Sequence, residues 1–118
     1  METKLLPADD AGIALAARLL REGQVVGIPT ETVYGLAANA LDPEAARRIY
    51  AAKGRPSDNP LIVHIAALEE LYPLTARCPK LAERLAAAFW PGPLTMIFPK
   101  SDQVPAATTG GMDTVAVR

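Results

Sequence analysis

The 118-residue chain has one cysteine, Cys78, and one histidine, His64. A lone cysteine excludes an internal disulfide framework and a cysteine-based zinc site, and a lone histidine excludes a His-rich metal centre. Aromatics make up 5% of the residues against 50% hydrophobic overall, so a core must be built from aliphatic and small side chains. Neither sign of charge dominates: 12 Lys and Arg face 13 Asp and Glu, a net charge of -1. That excludes an overall basic nucleic-acid binder and leaves room only for a local basic patch. No apolar run approaches the roughly 20 residues of a membrane helix, and the start Met1-Glu2-Thr3-Lys4 carries no signal-peptide pattern, so a soluble, cytoplasmic and reducing setting is expected. Phosphate loops of the G-x-x-x-x-G-K-[ST] and G-x-G-x-x-G kinds are missing too, so any nucleotide must be held by side chains and other loops.

What is present reads as one α/β unit without repeats or low-complexity tracts. A helix is expected over residues 9–22, where Ile13, Ala16, Ala17 and Leu20 fall on one stripe. Asp9 or Asp10 would cap it, and Gly23 would end it in a left-handed conformation. Residues 24–28 read as a strand, and residues 29–41 as irregular. Asp42-Pro43 is a strong helix start and Gly54 a natural stop. Residues 61–65 read as a second strand, which predicts a βαβ unit with parallel strands. Further helices are expected over 67–72 and 79–89, the latter with Leu81, Leu85 and Ala88 on one face. Trp90-Pro91-Gly92-Pro93 makes a rigid turn, read as packing, into a strand over 94–98. The loop 99–113, with Thr108-Thr109-Gly110-Gly111 at its middle, has a length usual for functional or disordered segments. A last strand covers 114–117 and ends at Arg118. We expect the chain to be part of a longer domain, with an exposed apolar edge along 114–117.

Ligands of open α/β sheets bind outside the carboxyl ends of strands. Thr30, His64 and Arg118 each lie at or near such an end, so shared strand direction would bring a hydroxyl, an imidazole and a guanidinium to one edge. That set suits a small zwitterion, with Arg118 forking onto its carboxylate. Lys53 and Arg55 flank Gly54, where both could reach one polyphosphate. Arg47 and Arg48 precede them in an acid-free run over 45–57. Plainer readings stand beside these. Lys53 in a last helical turn compensates the helix dipole, His64 in an apolar strand satisfies a core hydrogen bond, and Thr30 after a proline caps a turn. Cys78, beside a helix start, lacks a neighbouring His in sequence that would make it a nucleophile.

Five blocks, in order, carry a family resemblance: Pro29-Thr30-Glu31-Thr32-Val33-Tyr34-Gly35-Leu36, Lys53-Gly54-Arg55-Pro56, Asn59-Pro60-Leu61-Ile62-Val63-His64-Ile65, Trp90-Pro91-Gly92-Pro93-Leu94-Thr95 and Asp113-Thr114-Val115-Ala116-Val117-Arg118. Together they closely resemble the YrdC-like family, which contains the threonylcarbamoyl-AMP synthases, over a match running from about Leu5 to the last residue. The resemblance implies a YrdC-like twisted open sheet, mixed parallel and antiparallel, flanked by helices and incomplete here, residues 1–118 forming the N-terminal portion of the domain. It implies synthesis of L-threonylcarbamoyl-AMP from L-threonine, bicarbonate and ATP with release of pyrophosphate. A partner transferase would then modify position 37 of tRNAs. Thr30, His64 and Arg118 would bind threonine and bicarbonate. Lys53 and Arg55 would contact ATP phosphates, with Asn59 and Thr114 near the nucleotide. Mg²⁺ would accompany ATP without a dedicated protein site, and no catalytic base is assigned.

Such chemistry gathers three anionic species, which calls for cations, and forms a carbamate and a mixed anhydride, which both decompose in water and call for a dry cavity. The resemblance also departs from the family: the Ser-Ala-Asn segment and further strands that follow the Val-Arg block in its members are not in this sequence. Weak ATP binding and little turnover are therefore expected of these 118 residues. Three other readings remain: an RNA-binding YrdC-like module without synthase activity, a carbamoyl-transfer relative of the hydrogenase-maturation type, and an inactive fragment of the synthase.

Overall fold

The computed structural model describes residues 2–54, 56 and 59–118. Helix α1 spans Asp10–Arg21 and starts where the Asp9 carboxylate accepts the Gly12 amide at 2.8 Å. Gly12 is obligatory there, because a Cβ would lie 1.8 Å from the Pro7 carbonyl oxygen. The N-terminal segment thus packs on Gly12, and Ile13, expected on the buried stripe, is instead 60% exposed. Helix α2, Pro43–Lys53, is capped by Asp42, whose side chain accepts the Glu44 amide, and Gly54 closes it at φ +64°. Both ends follow the sequence cues.

The strands pair differently from the expected βαβ unit. Strand β1, Val26–Ile28, turns back onto β2, Gly35–Ala37, as an antiparallel pair, so part of the stretch read as irregular is a strand. Its Gly-Leu-Ala sequence has little β propensity; pairing to β1 holds it. With β1 occupied by its own hairpin, β3, Ile62–Val63, finds its parallel partner in β5, Thr114–Val117. Strand β4, Met96–Pro99, pairs antiparallel on the other side of β5, giving the order β3-β5-β4. Strand β5 is therefore central, with Val115 and Val117 fully buried, and the expected exposed edge along it does not exist. Mixed strand directions flanked by helices match the expected fold class.

The core lies on this second sheet: Val63, Val115, Val117 and Phe98 pack with Leu71, Leu74, Ala82 and Val104. Leu71 and Leu74 come from two consecutive 3₁₀ turns, Leu68–Glu70 and Tyr72–Leu74, where one short helix was expected. Helix α3, Lys80–Phe89, buries Ala82 and Ala86 instead of the expected Leu81 face, and Leu81 is 63% exposed. Small side chains permit the closer approach to the sheet, so the alanines win the inward position. The long loop 99–113 is also packed: it contains α4, Ala106–Thr109, with Thr108 and Thr109 buried. Thr108 Oγ1 donates to the Ala40 carbonyl at 2.6 Å and its own carbonyl accepts the Leu61 amide at 3.0 Å. Buried Tyr50 donates to the Ala107 carbonyl at 3.1 Å. Helix α4 thereby ties α2 and the start of β3 together.

Candidate functional site

A cavity of about 770 Å³ opens between the two sheets, lined by Ile28, Leu36, Ile49 and Leu61 among others and edged by Thr30, Lys53 and His64. A second, of about 380 Å³, adjoins it and is lined by Glu31, His64, Trp90 and Arg118. Both volumes fall within the ~300–1,000 Å³ typical of small-molecule sites. His64 lines both, so it stands at their junction.

The parallel β3–β5 ladder creates the junction. It continues one step past the strands, the Arg118 amide donating to the Val63 carbonyl at 2.9 Å and the Ile65 amide to the Arg118 carbonyl at 3.0 Å. His64 and Arg118 are therefore neighbours at the carboxyl ends of parallel strands, where the strand-end rule places ligands. The His64 ring is exposed, with Nδ1 3.2 Å from the Ile62 carbonyl oxygen. When Nδ1 carries the proton on that bond, Nε2 is left as an acceptor. The Arg118 side chain is only 18% exposed. Its Nε donates to Thr95 Oγ1 at 3.0 Å and one terminal nitrogen lies 3.2 Å from Glu31 Oε1. The Trp90 turn supports this wall: the indole N–H donates to the Leu94 carbonyl at 2.8 Å.

Thr30 arrives by a different route from the expected one, since β1 belongs to the other sheet. Its hydroxyl oxygen accepts the Thr32 and Val33 amides at 3.3 and 3.2 Å and donates to the Val33 carbonyl, so it caps the turn that presents Glu31. Lys53, at the end of α2, is exposed and has no bonding partner among the described residues. Arg47 and Arg48 do have partners, Glu44 and the Gly23 carbonyl, so the basic run is not a free cationic stripe. Arg55 lies outside the described residues; Asn59, which is described, is exposed. Thr114 begins β5, four positions before Arg118, which puts it ~13 Å away along the strand. The structure thus brings His64, Arg118, Thr30 and Lys53 around adjoining cavities, and Thr114 is not among the residues lining either one. Glu31 and Thr95 were missed; both lie inside resemblance blocks, and Glu31 is the only charged residue of its block.

The family model Sua5_yciO_yrdC, described as telomere recombination, matches residues 18–118. The chain belongs to the Sua5/YciO/YrdC family. A curated Pyrococcus abyssi relative of this family, named threonylcarbamoyl-AMP synthase, is 61% identical over 106 residues, 90% of this chain and 31% of the relative. A Bacillus subtilis relative of the same name is 55% identical over 117 residues, 98% of this chain and 34% of the relative. A crystal structure of P. abyssi Sua5 complexed with L-threonine superposes with a TM-score of 0.91 at 59% identity, covering 93% of this chain and 32% of that one. The chain thus spans about a third of the length of these two curated relatives.

Proposed function

We propose that this chain contributes the amino-acid and phosphate contacts of an L-threonylcarbamoyl-AMP synthase. The L-threonine amine would add to the bicarbonate carbon with loss of water to form a carbamate, whose oxygen attacks the α-phosphorus of ATP and displaces pyrophosphate, giving threonylcarbamoyl-AMP. The observation that carries the reading is the placement of Arg118 and His64 side by side on parallel strand ends, at the rim of a cavity sized for a small ligand. The names of the P. abyssi and B. subtilis relatives and the threonine complex of P. abyssi Sua5 support it.

In this reading the smaller cavity takes threonine and bicarbonate. Arg118 binds the amino acid's carboxylate, while His64 and the Thr30 turn supply further hydrogen-bonding groups. Lys53, with Arg55 and Asn59 close in sequence, takes the triphosphate at the mouth of the larger cavity, and Thr114, at the start of β5, stands as a further nucleotide contact. Apolar side chains such as Ile65, Leu68 and Trp90 limit water around the carbamate in the smaller cavity, and Ile28, Leu36 and Leu61 do so in the larger one. Mg²⁺ would enter with the triphosphate and neutralise part of its charge.

The product would pass to a transferase that modifies tRNA, in the cytoplasm, the 118 residues acting as the N-terminal portion of a YrdC-like domain. The test is pyrophosphate release from ATP in bicarbonate, with and without L-threonine. Release that requires threonine supports the reading. Release that ignores threonine, or tRNA binding with a steep salt dependence and no turnover, would replace it.

A further inference from the structure

Glu31 is a charged side chain of the smaller cavity that the proposed reaction does not use. It sits 87 residues from Arg118 in sequence and its Oε1 lies 3.2 Å from the guanidinium. The Glu31 side chain is 36% exposed and its second oxygen, Oε2, has no partner among the described residues. Arg118, in turn, is held on its other flank by Thr95, leaving one terminal nitrogen of the fork without a partner among the described residues. Two opposite charges, each anchored on one side and open on the other, therefore line one small cavity together with His64.

We propose that Glu31 and Arg118 form a socket for the zwitterionic end of an α-amino acid, with Glu31 determining that an amine must be present. The inference rests on the proposed threonine site and adds a specificity-determining residue to it. A carboxylate entering this cavity competes with Glu31 for Arg118. A plain carboxylic acid loses by that competition, because like charges are brought together and nothing compensates. An α-amino acid places its ammonium against the Glu31 oxygens while its carboxylate takes the open side of Arg118, so both charges remain paired. The hydroxyl of Thr30 fixes the turn that carries Glu31 and so sets the spacing of the socket.

Removing the charge should remove the selection, which makes a ratio of affinities the right readout. Binding of L-threonine and of (R)-3-hydroxybutanoate, the same skeleton without the amine, is measured by calorimetric titration for the wild-type chain and for Glu31→Gln and Glu31→Asp. A charge-assisted hydrogen bond predicts that the wild-type chain prefers threonine by about tenfold or more. In Glu31→Gln the preference should fall to about threefold or less, mainly through tighter binding of the hydroxy acid, and Glu31→Asp should keep part of it. A merely structural Glu31 would weaken both ligands together and leave the ratio unchanged, which overturns the inference while leaving the threonine site standing. Failure of the wild-type chain to bind threonine at all would overturn the proposed function and this inference with it.

Discussion

Replacing Thr108 with valine removes one hydroxyl and almost no volume, which makes it a clean probe of how the cavity walls are held. Thr108 is 1% exposed and its hydroxyl donates to the Ala40 carbonyl at 2.6 Å, 68 residues away in sequence. Ala40 lies on the loop between β2 and α2, whereas the Thr108 carbonyl holds the Leu61 amide at the entry to β3. One residue therefore joins the two sides of the larger cavity. In Thr108→Val the Ala40 carbonyl loses this buried donor, a loss of about 1–2 kcal/mol. For a domain of this length that corresponds to a Tm lower by roughly 4–8 °C. Scanning calorimetry of wild type and variant at one pH reads the difference. If the role of Thr108 were packing alone, the more apolar valine would be neutral or stabilising; a Tm equal to or above wild type would refute the hydrogen-bond reasoning.

Other consequences are as direct. Gly92→Ala would put a Cβ 2.6 Å from the Phe89 carbonyl oxygen, backbone that cannot yield cheaply, and should destabilise by ~1–3 kcal/mol in urea unfolding. Lys53→Ala, at an exposed position, should leave Tm unchanged and weaken ATP several-fold more than it weakens adenosine in parallel titrations. Burial pushes the Cys78 thiol up, and the nearby Glu83 carboxylate pushes it further. Its thiolate is therefore scarce at neutral pH, and the alkylation rate should rise to its midpoint only above the ordinary thiol range of about 8.5. The sign follows from the anion being the disfavoured form, so Glu83→Gln should bring the midpoint down, and a midpoint at or below the ordinary range would contradict the placement of Cys78.

The helices were legible because their signals are local. Asp42-Pro43 and Gly54 carry α2 in their own chemistry, and Asp9 does the same for the start of α1. The strands' partners were not legible, because pairing is decided by what else competes for an edge. The hairpin of β1 and β2 removes β1 from the main sheet, and β5 then serves as the centre of a sheet where sequence suggested an edge. Thr108 and Thr109 read as loop residues because hydroxyls usually mark turns; their burial depends on acceptors elsewhere, Ala40 and Met112. In the site, His64 and Arg118 were legible from the strand-end rule once β3 and β5 ran parallel. Glu31 was not, since its contact spans 87 residues and only the folded turn at Thr30 delivers it.

The central claim is that Arg118, at the end of the central strand, receives the carboxylate of L-threonine. Titration of L-threonine into the wild-type chain and into Arg118→Ala, followed by calorimetry, tests it most directly. Saturable binding to the wild-type chain that weakens at least tenfold in the variant, the size expected for a lost charge-assisted hydrogen bond, is the predicted result. Equal affinity in the two proteins, or no saturable binding to the wild-type chain, would contradict it.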